Sequence, residues 1–222
     1  MKDRPVNLRG SIVLAFLAFF LLTAGQAGAA ELSSQTGSAG PVRYKIDASK
    51  SRFIVRALVE GLFSAFGHDH TIAIREFNGE AHFVLGTGDA ASLQLTMNAN
   101  SLGITDKISE EDRKEIESTM RKEVLETSRY PEIVFRSTSI SAKKNPDGTY
   151  QVKISGNLSL HGVTRNGSID ATVNIDGDTL RANGQFPLLQ TDYKITPVSV
   201  AVGTIRVKDE LQLSFDIFAV KQ

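Results

Sequence analysis

From Tyr150 to Leu160 the even positions are Tyr, Val, Ile, Gly, Leu and Leu, and the odd ones are Gln, Lys, Ser, Asn and Ser. Successive side chains of a strand point to opposite faces, so this stretch has one apolar face and one wet face. Further on, Ile169, Ala171, Val173 and Ile175 alternate with Asp170, Thr172 and Asn174. His161 to Gly167 lies between, with glycines at 162 and 167, and the whole predicts a long antiparallel hairpin. The same period of two marks strands over Val42 to Ile46, from Arg52 through Phe53, Val55, Ala57 and Val59, and over Ser92 to Asn98. It returns over Ile133 to Ile140, Leu180 to Leu188, Ser199 to Val207 and Leu211 to Val220. Thr71 to Phe77 and Gly79 to Leu85 predict two strands or one bent strand broken at Asn78-Gly79, a hairpin signal. Turns are expected at Asp47 to Lys50, Asn145 to Gly148, Asp176 to Asp178 and Lys208 to Glu210.

The period changes once. Ser109 followed by Glu110, Glu111 and Asp112 reads as a capped helix start with acids in its first turn. Ile116, Met120, Val124 and Leu125 form an apolar stripe at helical spacing, which predicts an amphipathic helix over residues 109–127, ended by Pro131. Such a helix covers an open end or edge of the sheet; a membrane-surface or partner helix is the alternative. No internal repeat and no linker interrupts residues 42–220. The expected fold is all-β: a single antiparallel barrel of about eight strands with one amphipathic α-helix. A sandwich has the same strand pattern. The inward positions mix large groups (Phe53, Phe83, Phe135, Leu158, Phe186, Phe215) with small ones (Ala57, Ala81, Gly156, Ala171, Ala182, Gly184). Small inward residues leave volume for a ligand or let an opposite wall approach. Gly61 to Asp69 carries Leu62, Phe63 and Phe66, which suggests a buried loop or a lip over a cavity.

The first 29 residues change the picture of where the chain works. Lys2, Arg4 and Arg9 precede an apolar run from Ile12 to Leu22, too short to span a bilayer comfortably, and Ala27-Gly28-Ala29 supplies small residues for cleavage. Residues 1–29 are therefore expected to be a secretory signal peptide cut near Ala29, residues 30–41 a flexible lead-in, and residues 42–220 the folded domain. Removing the leader takes away three bases and one acid, leaving a formal charge of about −2. That balance gives no footprint for nucleic acid. There is no cysteine, so disulfides, thiol nucleophiles and cysteine-linked lipids are excluded. The expected location is periplasmic.

Little in the chain offers catalysis. His68 and His70, at i and i+2, share one side of an extended chain, and with His161 or His82 they are the candidate metal ligands. The competing reading makes them turn and strand-end histidines. Ser159 lies near His161, but there is no Gly-x-Ser-x-Gly elbow and no phosphate loop.

Arg129-Tyr130-Pro131-Glu132-Ile133-Val134-Phe135-Arg136-Ser137-Thr138 and Gly156 to Arg165, with its Leu160-His161-Gly162-Val163-Thr164, are more specific as a pair than either alone. With Tyr44 to Asp47, Ser51-Arg52-Phe53, Asp192 to Ile195 and Gly203 to Glu210, they resemble the YceI-like family over about residues 42–220. The resemblance implies a lipocalin-like barrel that binds a long polyisoprenoid, an isoprenoid quinone or its precursor, with no catalytic residues and no covalent cofactor. The residues expected to touch that chain are Phe53, Val55, Phe83, Leu95, Ile133, Phe135, Leu158, Leu160, Phe186 and Val200. The implied partners are the lipid itself and a transient contact with a membrane surface or membrane protein, for a monomer or homodimer. Two segments depart from many relatives. Phe66 to His70 replaces a basic Lys-His stretch, and Asp192-Tyr193-Lys194-Ile195 stands where Arg-Ser-Asp-Phe-Gly-Ile is common. The other readings are a metal-dependent protein using His68, His70 and His161, and a structural stress protein with a filled core.

Overall fold

The computed structural model describes residues 41–61, 68–83, 91–200 and 204–222. The expected leader, Leu62, Phe63 and Phe66 of the expected loop, and residues 84–90 lie outside the described residues. The strands are β1 (Val42–Ile46), β2 (Arg52–Ala57), β3 (Val59–Glu60), β4 (His70–Ile74), β5 (Phe77–Phe83), β6 (Ser92–Asn98) and β7 (Leu102–Ile104). After the helix α1 (Glu110–Thr119) come β8 (Glu132–Lys144), β9 (Tyr150–Leu160), β10 (Val163–Asp176), β11 (Thr179–Leu189), β12 (Ser199–Val200), β13 (Ile205–Val207) and β14 (Glu210–Lys221).

The ladder runs β1-β5-β6-β8-β9-β10-β11-β14, and β1 pairs back onto β14, closing an antiparallel barrel of eight strands. Closure decides against a sandwich, because it removes the two edges that an open sheet would keep. β14 carries β1 along Ala219–Lys221 and β2 along Gln212–Asp216, so β1 and β2 are successive halves of one wall, bent at Ala48–Lys50. β4 and β5 divide their wall in the same way, one pairing β2 and the other β1. β3, β12 and β13 form a separate three-stranded sheet that continues from β2 and leads into β14.

Several boundaries differ from the sequence expectation. The β9–β10 turn is two residues, not seven: Leu160 pairs Val163, and His161 (φ +50°) and Gly162 (φ +71°) take the left-handed geometry that suits a twisted hairpin. Asn78-Gly79 makes no hairpin; it lies inside β5 where Gln94 O and Ile46 approach too closely for a Cβ, and the break falls at Arg75-Glu76. The expected strand from Ser199 to Val207 is two short strands paired with each other. β8 runs on past Ile140 to Lys144, and a bulge between Ser137 and Ser139 changes its inward parity from Ile133 and Phe135 to Ile140 and Ala142.

The helix forms where its signals say. Ser109 Oγ accepts from the Asp112 N–H at 3.0 Å, and three acids occupy the first turn. It ends earlier than residue 127, and not at Pro131. Leu125 N–H donates to Met120 O, a π turn, and Glu126 then adopts φ +44°. Met120 and Leu125 enter the barrel core, with Val124 packed against it.

Candidate functional site

Every barrel strand brings its apolar parity inward. From β9 come Val152, Ile154, Leu158 and Leu160; from β14, Leu211, Leu213, Phe215, Ile217 and Ala219. These walls do not meet. They enclose a cavity of about 900 Å³ lined overwhelmingly by apolar side chains. Ordinary interiors are packed as densely as organic crystals, with few voids larger than a water, so this space is not a packing fault. Its volume lies at the upper end of the ~300–1,000 Å³ typical of small-molecule sites.

Of the ten residues expected to touch a ligand, Phe53, Val55, Phe83, Leu95, Ile133, Phe135, Leu158, Leu160 and Phe186 all line this cavity. The tenth, Val200, belongs to β12 by its backbone. Gly156 and Gly184 do not open the lumen, because the rings of Phe135 and Phe215 lie against them; a Cβ would meet ring carbons at 2.5 and 2.6 Å. Glycine at these points lets an aromatic ring fold flat onto the wall instead of standing across the barrel. Ala57, Ala81 and Ala182 do border the open space. Toward the β1 end, Phe83 meets Tyr150 edge-on, with ring centroids 5.4 Å apart, and Tyr44 is 1% exposed. Burial, helped by the charge of Asp178, raises the Tyr44 phenol above its ordinary value.

At the opposite end the helix does more than cover. Among the described residues β7 ends its sheet, with no strand beyond Leu102 and Ile104. Side chains of the helical segment take that strand's place. Glu117 accepts from the Ile104 N–H at 3.0 Å, Arg113 donates to Ile104 O, and Arg121 reaches Leu102 O at 3.3 Å and Asn100 O at 3.2 Å. Arg121 also donates to Glu117 at 2.7 Å. Burial pushes the Glu117 carboxyl upward, but the Arg121 and Ile104 hydrogen bonds outweigh it and hold the group below its usual range. Residues 113, 117 and 121 form one stripe at i, i+4, i+8, a spacing visible in the sequence; its role as a surrogate strand was not.

Two of the histidines are held by oxygen partners. His70 Nδ1 lies 3.1 Å from Asp106 Oδ2, and His161 Nδ1 lies 3.1 Å from Tyr193 O. His161 also stacks edge-on against Tyr130, while its Nε2 makes no hydrogen bond and stands 3.4 Å from Glu126 Oε1. The β9–β10 turn is thus clasped to the segment after the helix and to the short turn at Thr191–Tyr193. His68 lines the cavity and is exposed. Among the described residues no three His, Asp or Glu side chains gather to hold a metal ion. Ser159 Oγ pairs with Thr164 Oγ1 at 2.8 Å across the hairpin.

The family model of the YceI-like domain matches residues 44–219. The Protein YceI of Salmonella newport (strain SL254) is 30% identical over 149 residues, 67% of this chain and 71% of the relative, and that of Salmonella arizonae matches equally. Among solved structures, Burkholderia cenocepacia BcnA superposes with a TM-score of 0.60 at 19% identity, covering 79% of this chain and 99% of BcnA. A polyisoprenoid binding domain from Saccharophagus degradans gives 0.59 at 15% identity, covering 81% and 98%. At these identities the two structures speak for the fold. The match across nearly the whole barrel, together with the relatives at 30% identity, shows that this chain belongs to the YceI-like domain family.

Proposed function

We propose that this protein is a binding protein that carries a long-chain polyisoprenoid, an isoprenoid quinone or its precursor, inside its barrel in the periplasm. The observation that carries the reading is the cavity of about 900 Å³ with its apolar wall. A cavity whose wall is mostly apolar suits a long hydrocarbon and offers little to a compact polar substrate. The Saccharophagus degradans domain of the same fold, described as polyisoprenoid binding, supports the choice of lipid. The leader of residues 1–29 and the lack of cysteine support export. A filled-core structural role fits poorly with so much unfilled space beside Ala81 and Ala182.

The test is solvent extraction of the purified protein followed by mass spectrometry, with reloading of the stripped protein by a polyprenol. A released isoprenoid and saturable reloading are expected. A protein that yields no lipid and takes up none would sink the reading.

A further inference from the structure

The seam between β10 and β11 is only partly laddered. β10 pairs with β9 from Val163 to Val173, but with β11 only from Ala171↔Gly184 to Asp176↔Thr179. β11 in turn pairs with β14 from Thr179 to Leu189. Val163–Asp170 of β10 and Gln185–Leu189 of β11 therefore face one another without a ladder, and among the described residues no other strand pairs with either edge. Buried backbone groups are almost always paired, so a gap of this kind belongs where the edges meet solvent or a ligand. Proline is confined to strand edges, and β11 carries Pro187 there.

The cavity reaches this gap. Arg165 to Ile169 on one side and Phe186 to Gln190 on the other border it without interruption, so residues of both strand parities meet the same space. Arg165, Asn166, Gly167 and Ser168 are exposed, as are Pro187 and Leu189. Leu189, 42% exposed, is the large apolar side chain that the described surface leaves in water, and it stands on the lip. The gap has a frame. The last β10–β11 pair closes it below. Above, Arg165 Nε donates to Asp192 O at 2.9 Å, and the His161 clasp holds the same turn.

We infer that this gap is a lateral window through which the isoprenoid chain enters and leaves the barrel sideways, with the polar head of the lipid resting beside Arg165. The inference rests on the lipid-binding reading and specifies its route. A chain that enters from the side need not thread the barrel past α1 and the β3–β12–β13 sheet. The Nε bond leaves the two terminal nitrogens of Arg165 for an acceptor, so the preferred head is one with hydrogen-bond-accepting oxygens, a phosphate or a carbonyl.

Gly167 provides the test. A Cβ there meets nothing within 4 Å and its φ is not positive, so a large side chain fits without backbone strain and plugs the window. The absence of native cysteine allows a second plug, a bulky maleimide placed on purified Gly167→Cys after folding is complete. Stripped protein is loaded from phosphatidylcholine vesicles holding a fluorescent polyprenol, and in a second arm polyprenyl phosphate. Both Gly167→Phe and the labelled Gly167→Cys protein are expected to load at least about tenfold more slowly than the parent, within the one to three decades over which association rates vary in related complexes, at an unchanged unfolding midpoint. The same label on Glu115→Cys, on the helix, is expected to slow loading less. Loading of both plugged proteins at the parental rate, or greater slowing from the Glu115 label, would overturn the window while leaving lipid binding intact. A parent protein that takes up neither lipid would overturn lipid binding, and the window with it. A parental preference for polyprenyl phosphate that is lost in Arg165→Gln supports the head-group placement; no change in preference overturns that placement.

Discussion

Phe135 both walls the cavity and covers Gly156. In a filled core, Phe to Ala costs about 3–5 kcal/mol, whereas a ring with open space on one side has fewer neighbours to lose. Phe135→Ala and Leu160→Ala in stripped protein should therefore cost less than large-to-small changes in a filled core, below about 3 kcal/mol for the phenylalanine, and should weaken polyprenol binding. Chemical unfolding beside binding titrations measures both effects, and a full core-like loss without a binding defect counts against a cavity wall. Two small inward residues should part company. Ala182 borders open space, so Ala182→Leu should fold and bind poorly. At Gly156 the Cβ alone lies 2.5 Å from Arg136 O and from the Phe135 ring, so Gly156→Leu should destabilise by about 1–3 kcal/mol or more. Equal unfolding midpoints for the two leucine variants would contradict the ring-on-glycine packing.

At the scale of elements, the helix is held to the barrel by hydrogen bonds as much as by Met120 and Leu125. Glu117 is central: its side chain is only 13% exposed, and it serves both the Ile104 N–H and Arg121. Glu117→Ala leaves both without that acceptor and should cost about 1.5–3 kcal/mol, the range for hydrogen bonds to charged groups. Because the folded state lowers the Glu117 pKa, the folded chain binds its proton less readily than the unfolded chain. The stabilisation is therefore complete above the unfolded value, about 4.3 for a glutamate, and is lost as pH falls through the lower folded value. The difference in unfolding free energy between wild type and Glu117→Gln should shrink on acidification across that window. A difference that stays constant from neutral to acid pH would show that the carboxylate charge is not what holds the helix.

For the whole molecule, closure of β1 onto β14 makes the barrel a single ring, while the β10–β11 gap interrupts a seam of the described wall. Amide hydrogen exchange should read that contrast. β9 and β14, paired on both sides, should protect together, and Val163–Asp170 should exchange faster than Ala171–Asp176 of β10. Uniform protection along β10 would argue for a sealed wall. Export, which we propose from the leader, has its own measurement. Intact mass of the secreted protein should correspond to a chain starting at Ala30, and retention of residues 1–29 would contradict a cleaved leader.

Strand positions, the capped start of the helix and the apolar lining followed from the sequence because they rest on local periodicity. A side chain at i and one at i+2 share a face whatever surrounds them. That rule placed Phe53, Phe135, Leu158 and Phe186 on the inward face before any fold was known. The same rule is blind to what the face encloses, since a sandwich, a filled barrel and a hollow one share one period of two. Closure was decided by β1 pairing two strands, β5 and β14, that lie far apart in the chain. The rings over Gly156 and Gly184, the bulge at Ser137–Ser139 and the end of the β10–β11 ladder at Ala171 are facts of cross-strand register, which no single strand encodes. The stripe of Arg113, Glu117 and Arg121 has its role only through packing against β7, which supplies the backbone groups it binds. Local pattern set which side of each element is dry. Long-range pairing set where the dry sides stop short of one another, and that unfilled interval is the candidate site.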